Sequence, residues 1–239
     1  MNQNIYKIII LFKKFIRHTL GVLADMLIKT SQILGYLYTK GFGFVDTSWY
    51  DHRYDHLRGV ENFYWMERAF LVLSMMSSED NVLDLGCGDG IFSGVFYSSK
   101  AKKVVAVDID STAIRHAKKY YPKKNVSYTK QDIRNLSFRN NKFNIILMFA
   151  VIEHFTPEDG VKVLTKVGKL LKPNGTFFGS TPIFSKNKTK LANFEHENEF
   201  TSSDDLLVFL KKGFKSVKIT HSKWGMRDEC YFECKNPLI

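Results

Sequence analysis

Val82-Leu83-Asp84-Leu85-Gly86-Cys87-Gly88-Asp89-Gly90 is the stretch on which the reading of this chain turns. Its first four residues, apolar except for Asp84, read as a short strand built for burial. The glycines that follow let the backbone turn sharply and let a ligand approach it without meeting Cβ atoms. Open parallel sheets bind their ligands at such a junction, outside the carboxyl end of a strand. The glycines fall as G-x-G-x-G. A dinucleotide site needs G-x-G-x-x-G so that a pyrophosphate reaches the helix N-terminus, and here the sixth position is Ile91. The spacing argues against a dinucleotide and for a ligand without a diphosphate.

Working outward, a regular alternation runs from this loop to the end of the chain. Residues 91–98 read as a helix, 104–108 as a second strand and 112–120 as a helix with Pro122 beyond it. Strands are expected at 126–129, 143–149 and 176–180, and a helix at 157–171 with proline in its first turn. A helix over 204–212 stops at Gly213, and strands at 215–220 and 229–234 follow with no helix between them. Near-continuous apolar strands alternating with helices predict a doubly wound, seven-stranded, mostly parallel α/β sheet with an antiparallel last strand pair. The predicted organisation is a basic amphipathic helical extension over 1–45, then one domain over 46–239. Its first part, 46–78, is an aromatic cap that includes a helix over 61–76.

Acids stand at the strand ends where a nucleoside would need them. Asp108 closes the second strand, and a carboxylate there can accept hydrogen bonds from both hydroxyls of a ribose. Asp132 follows the third strand and can accept from an exocyclic adenine amine. Ile109 and Ile133 would flank the flat base, and Asp84 could attract an ammonium group. Each aspartate could also simply cap a helix or close a turn. Taken together, their spacing describes adenosine joined to an amino acid.

Residues 82–90 (VLDLGCGDG) resemble the first motif of class I S-adenosylmethionine (SAM)-dependent methyltransferases, of the type 11 group. Residues 105–110 (VAVDID) resemble their second motif, and Gln131-Asp132-Ile133 matches the adenine-contacting position. Residues 143–155 (FNIILMFAVIEHF) and 170–182 (LLKPNGTFFGSTP) resemble the fourth- and fifth-strand motifs, and 196–213 a tail found in small-molecule members. The resemblance covers about residues 50–235 and implies a Rossmann-like fold with SAM as cofactor. It implies that Asp84 and the backbone at Gly86 and Gly88 hold the methionine part, Asp108 the ribose, and Asp132 with Ile133 the adenine, with Cys87 of the loop and Ile109 as further cofactor contacts. Phe149 would lie along the cofactor. Asn144 departs from the family's usual Asp at a position that is normally structural.

Methyl transfer from a sulfonium is an in-line displacement, so the protein must chiefly align a nucleophile, and a hydroxyl nucleophile also needs a base. Glu153 and His154 follow the fourth strand, and His196 lies in the polar stretch 193–199. These three are the candidate catalytic residues. They also resemble metal-assisted methyltransferases that carry E-x-x-E-H and a later His, but Ala150 replaces the first Glu, and no metal is assigned. Tyr50, Arg53 or Arg58 of the cap could meet the methionine carboxylate or the acceptor.

The acceptor is expected to be a small molecule or a surface-polysaccharide sugar, methylated on oxygen. A membrane-held quinone precursor is an alternative, and nucleic-acid binding is another. The formal charge of +11 permits the latter. However, no nucleic-acid module is recognisable and Val151-Ile152-Glu153-His154 lacks the N-P-P-Y type sequence of base-amine methylases, so no nucleic-acid partner is expected. Three cysteines, Cys87, Cys230 and Cys234, suit a reducing compartment. No run of about 18 apolar residues is present. The expectation is a cytoplasmic protein with peripheral contact at the inner membrane face through residues 1–40, which carry six Lys/Arg (Lys7, Lys13, Lys14, Arg17, Lys29, Lys40) against Asp25.

Overall fold

The computed structural model describes residues 3–37, 51–53, 64–184, 196–224 and 227–238. The chain divides into two compact units, Met1–Phe63 and Tyr64–Ile239. In the first, one unbroken helix, α1 (Gln3–Tyr36), accounts for the amphipathic segment. No helix among the described residues is long and apolar enough to cross a membrane. Of the expected cap, only residues 51–53 and 64–78 are described. Tyr50 and Arg58 lie outside the described residues, and Arg53 is paired with Asp51 at 2.7 Å.

The second unit opens with α2 (Tyr64–Met75) and continues β1 (Asn81–Leu85), β2 (Lys103–Asp108), α3 (Ser111–Tyr120), β3 (Val126–Lys130) and β4 (Phe143–Phe149). Then come α4 (Pro157–Leu170), β5 (Leu171–Pro182), α5 (Ser203–Leu210), β6 (Phe214–Trp224) and β7 (Arg227–Pro237). The seven strands form one sheet in the order β3-β2-β1-β4-β5-β7-β6. The pairs β3-β2, β2-β1, β1-β4 and β4-β5 are parallel, while β5-β7 and β7-β6 are antiparallel. The order reverses between β1 and β4, which is where a doubly wound sheet opens a crevice.

Strand alternation builds a core on each face, because successive side chains point to opposite sides. Ile146 and Met148 of β4 join Leu83, Phe177 and Phe232 under α4 and α5. Ile145, Leu147 and Phe149 join Val82, Phe178 and Tyr231 under α2. The helices start where their caps dictate. Asp110 accepts from the Thr112 amide, Thr156 from Asp159, and Ser202 from Asp205. Asn144, the departure from the family pattern, is structural: its Oδ1 accepts from the Asn81 amide and from Lys172 Nζ, both at 3.0 Å.

The helix expected over 91–98 takes a different form. A wide π-type turn spans Phe92–Phe96 and a 3-10 turn spans Tyr97–Ser99. In this geometry Phe92 and Tyr97 are both buried, while Ser93 donates to Asp84 Oδ2 at 2.5 Å. Burying Asp84 at the end of β1 demands such a donor, and the apolar pattern of 91–98 carries no sign of it.

Candidate active site

The crevice is built on the loop after β1. Gly86, Gly88 and Gly90 have φ of 73°, 52° and 84°, a region that other L-residues enter at a cost. At Gly86 a Cβ would come within 2.3 Å of Val151 Cγ2, and at Gly90 within 2.5 Å of Ala117 Cβ. The loop amides are spent inside the fold. Gly86 and Cys87 donate to Val107 O, Gly88 to Asp108 Oδ2, Gly90 to Cys87 O and Ile91 to Asp89 Oδ1. A phosphate cradle needs such N–H groups turned toward the ligand. This loop offers bare backbone rather than an anion nest, in keeping with a ligand that has no diphosphate.

Asp108 stands at the rim of this loop. Its Oδ2 accepts from the Gly88 amide at 2.8 Å and its Oδ1 from the Asp110 amide at 2.9 Å. Each oxygen retains a second lone pair, so the carboxylate can also accept from two vicinal hydroxyls. Burial pushes its pKa up, opposed by those two amides. Asp84 is fully buried, and its Oδ1 has no hydrogen-bond partner among the described residues. An orphaned carboxylate oxygen beside a bare loop is an observation that fits an ammonium-bearing cofactor. Burial raises the Asp84 pKa, and the Arg68 guanidinium, 3.8 Å from Oδ1, works against that rise.

The other expected cofactor contacts fall unevenly. Ile109 is exposed at the end of β2 and available to a flat ring. Ile133 is 8% exposed and belongs to the main apolar core, so its packing role is the one visible. Asp132 caps the turn Ile133–Asn135 and is gripped by the Arg134 guanidinium, which holds its carboxyl below the usual range. Cys87 is buried against Ala106, Ile114 and Ala117. Burial and the nearby Asp84, Asp108 and Asp89 push its thiol pKa well up, so it meets a ligand as backbone and not as a thiolate. Phe149 is buried beneath Arg68, whose guanidinium sits 3.9 Å from its ring centroid and 3.8 Å from that of Phe92.

Arg68 is a residue to which the sequence alone assigned no role. Its Nε donates to the Tyr97 hydroxyl at 2.8 Å, and the two stacked rings fix the plane of its fork beside Asp84. One sign was present: Arg68 is the lone cation of α2 and precedes its mostly apolar remainder, AFLVLSM.

The candidate catalytic residues do converge. Ala150, at φ 50°, turns the chain out of β4, and Ile152–His154 forms a 3-10 turn. Glu153, His154 and His196 each bring a ligand-type atom within 4.8 Å of the others. The rings of His154 and His196 are 4.9 Å apart and nearly perpendicular. The stretch carrying His196 is tied down by its backbone. Glu197 and Asn198 donate to Glu153 O at 2.9 and 3.0 Å, and Phe184 donates to Phe200 O. His196 Nδ1 lies 2.9 Å from Glu199 Oε1. A carboxylate there keeps the proton on Nδ1 and leaves Nε2 as the accepting nitrogen. Glu199 was within the polar stretch read from sequence, but no role was assigned to it.

Glu153 is 1% exposed and accepts from the Thr181 hydroxyl at 2.9 Å. Burial raises its pKa to about 7. Between the unfolded carboxyl value of about 4.3 and the folded value, only the folded chain keeps this proton. Stability therefore falls as pH rises through that window. Glu153→Gln, which cannot ionise, is expected to gain about 3 kcal/mol relative to the parent between pH ~4 and pH ~8. Urea unfolding of both proteins at the two pH values checks this, and a pH-independent difference would contradict a buried, proton-holding carboxyl.

With this geometry in place, the chain can be set beside known proteins. Residues 82–175 match the family described as a methyltransferase domain. Together with the fold and the loop, this match supports a class I SAM-dependent methyltransferase. It is 27% identical over 164 residues to a probable S-adenosylmethionine-dependent methyltransferase of Mycobacterium tuberculosis, covering 66% of this chain and 58% of that one. It is 33% identical over 103 residues to a ubiquinone biosynthesis O-methyltransferase of Coxiella burnetii, covering 42% and 43%. The matched region thus spans less than two thirds of those relatives. The crystal structure of a Pyrococcus horikoshii protein superposes with a TM-score of 0.58 at 25% identity, covering 72% of this chain and 91% of that one.

Proposed function

We propose that this protein transfers a methyl group from SAM to a hydroxyl of a small molecule or sugar, with His196 as the base. The observation that carries the reading is the Glu199–His196 pair, with His196 buried beside His154 and Glu153 beyond the carboxyl end of β4. Bound at the glycine loop, SAM supplies an electrophilic methyl on a cationic leaving group. Asp108 would hold its ribose, Asp84 and Arg68 its amino-acid end, and Ile109 with Asp132 its base. The remaining work falls to the protein's own groups. Nε2 of His196 takes the hydroxyl proton, Glu199 steadies the resulting imidazolium, and His154 and Glu153 border the acceptor. A carboxylate behind a histidine suits a proton-bearing oxygen nucleophile, whereas a thiolate or a neutral amine has less need of a base.

The test is product analysis. Incubation with methyl-labelled SAM and a panel of catechols, monosaccharides and polysaccharide fragments should put label on an acceptor oxygen, located by mass spectrometry. Label on nitrogen or carbon would overturn the O-methyl reading.

The cluster also supports a second reading. One carboxylate and two imidazoles make a plausible donor set for a divalent cation, which would polarise a catechol-type hydroxyl in place of a base. Metal dependence separates the two. Turnover that survives exhaustive chelation belongs to the histidine base, and turnover lost to a chelator and restored by added divalent ion belongs to the cation.

A further inference from the structure

Helix α1 carries a feature that the methyltransfer reading does not use. It runs through 34 residues, a rod of about 50 Å at 1.5 Å per residue. At about 100° per residue, Phe12, Phe15, Leu20, Leu23, Leu27 and Leu34 fall on one side of it. All six are exposed, Phe15 and Leu27 by 67% and 71%. Lys7, Lys14, Arg17 and Lys29 fall on the opposite side with Asp25, and Lys13 lies at the flank. Leu11 and Ile28 are apolar residues on the basic side, so the segregation is a strong bias rather than a clean division.

We propose that α1 lies flat on an anionic lipid surface, with its apolar side in the acyl boundary and its cations at the headgroups. Charge selects this occupant. The helix holds five Lys/Arg and one acid, so a second copy of it would meet like charge, whereas an anionic bilayer meets its complement. The polar residues inside the stripe are already adapted to a dry layer. The Thr19 hydroxyl donates to Phe15 O at 3.0 Å and that of Thr30 to Met26 O at 2.9 Å, so neither brings an unpaired donor into lipid. The helix is not long and apolar enough to cross, and its cations are spread from Lys7 to Lys29, so a transverse pose would bury charge. An exposed apolar stripe of this length is otherwise an aggregation site.

Vesicle flotation of the full chain tests the proposal, using phosphatidylcholine vesicles with and without phosphatidylglycerol. The expected result is binding to the anionic vesicles, little to the neutral ones, and release as salt rises. The triple substitution K13Q/K14Q/R17Q should lower partitioning about a hundredfold, at roughly fivefold per cation. F12E/F15E should abolish it. Both variants should bind SAM as the parent does, which separates lost lipid binding from lost folding. Three outcomes overturn the proposal: no binding to anionic vesicles, equal binding to both vesicle types, or a dimer that F12E/F15E dissolves while vesicles are ignored.

Discussion

Asp108→Ala should bind SAM about a thousandfold more weakly than the parent. Two hydrogen bonds from ribose hydroxyls to a carboxylate contribute about 2 kcal/mol each, and 4 kcal/mol is close to three decades in affinity. A further loss is structural, because Asp108 Oδ2 also accepts the Gly88 amide and so holds the loop that the cofactor faces. Asp108→Asn separates the two parts. It keeps an oxygen for Gly88 but has only one acceptor atom where the carboxylate has two, so its affinity should fall between alanine and the parent. Isothermal titration with SAM reads all three. Equal affinity in the alanine variant would remove Asp108 from the site.

His196→Ala should lose about a thousandfold in kcat on a hydroxyl acceptor while keeping SAM affinity, the size expected for removing a positioned base. Glu199→Gln tests the same pair from behind. An amide at that position can still accept from Nδ1–H but cannot balance an imidazolium, so kcat should fall less, by about tenfold. Single-turnover kinetics at several pH values check both variants. Full turnover in His196→Ala would transfer the role to His154 or to a bound cation.

Legibility of the fold followed the strength of the physical signal. β4 occupies the expected residues 143–149, because a seven-residue apolar run rich in Ile and Phe is too short for a buried helix and suits a strand covered on both faces. β5 reaches beyond its apolar centre to Leu171 and Pro182, and β6 and β7 are each longer than expected. Backbone pairing there, at Thr181 and Pro182 with Cys230 and Glu229, carries the ladder past the point where the side chains stop alternating. Around the loop, the glycine positions were readable because a positive φ restricts residue type. Arg68, Ser93 and Glu199 were not. Each acts on a partner distant in sequence or across a turn: Arg68 on Phe149, Ser93 on Asp84, and Glu199 on His196. Ile133 shows the limit from the other side. An apolar residue after a strand reads the same whether it faces an adenine or, as here, the core.

The central claim is that bare backbone at Gly86–Gly90 and the Asp108 carboxylate together receive an adenosyl amino acid. A crystal structure with S-adenosylhomocysteine tests it most directly. The account predicts density along the loop, both ribose hydroxyls within hydrogen-bond distance of Asp108, and the amino group against Asp84 Oδ1. A ligand seated elsewhere, or a loop without ligand density at saturating concentration, would contradict it.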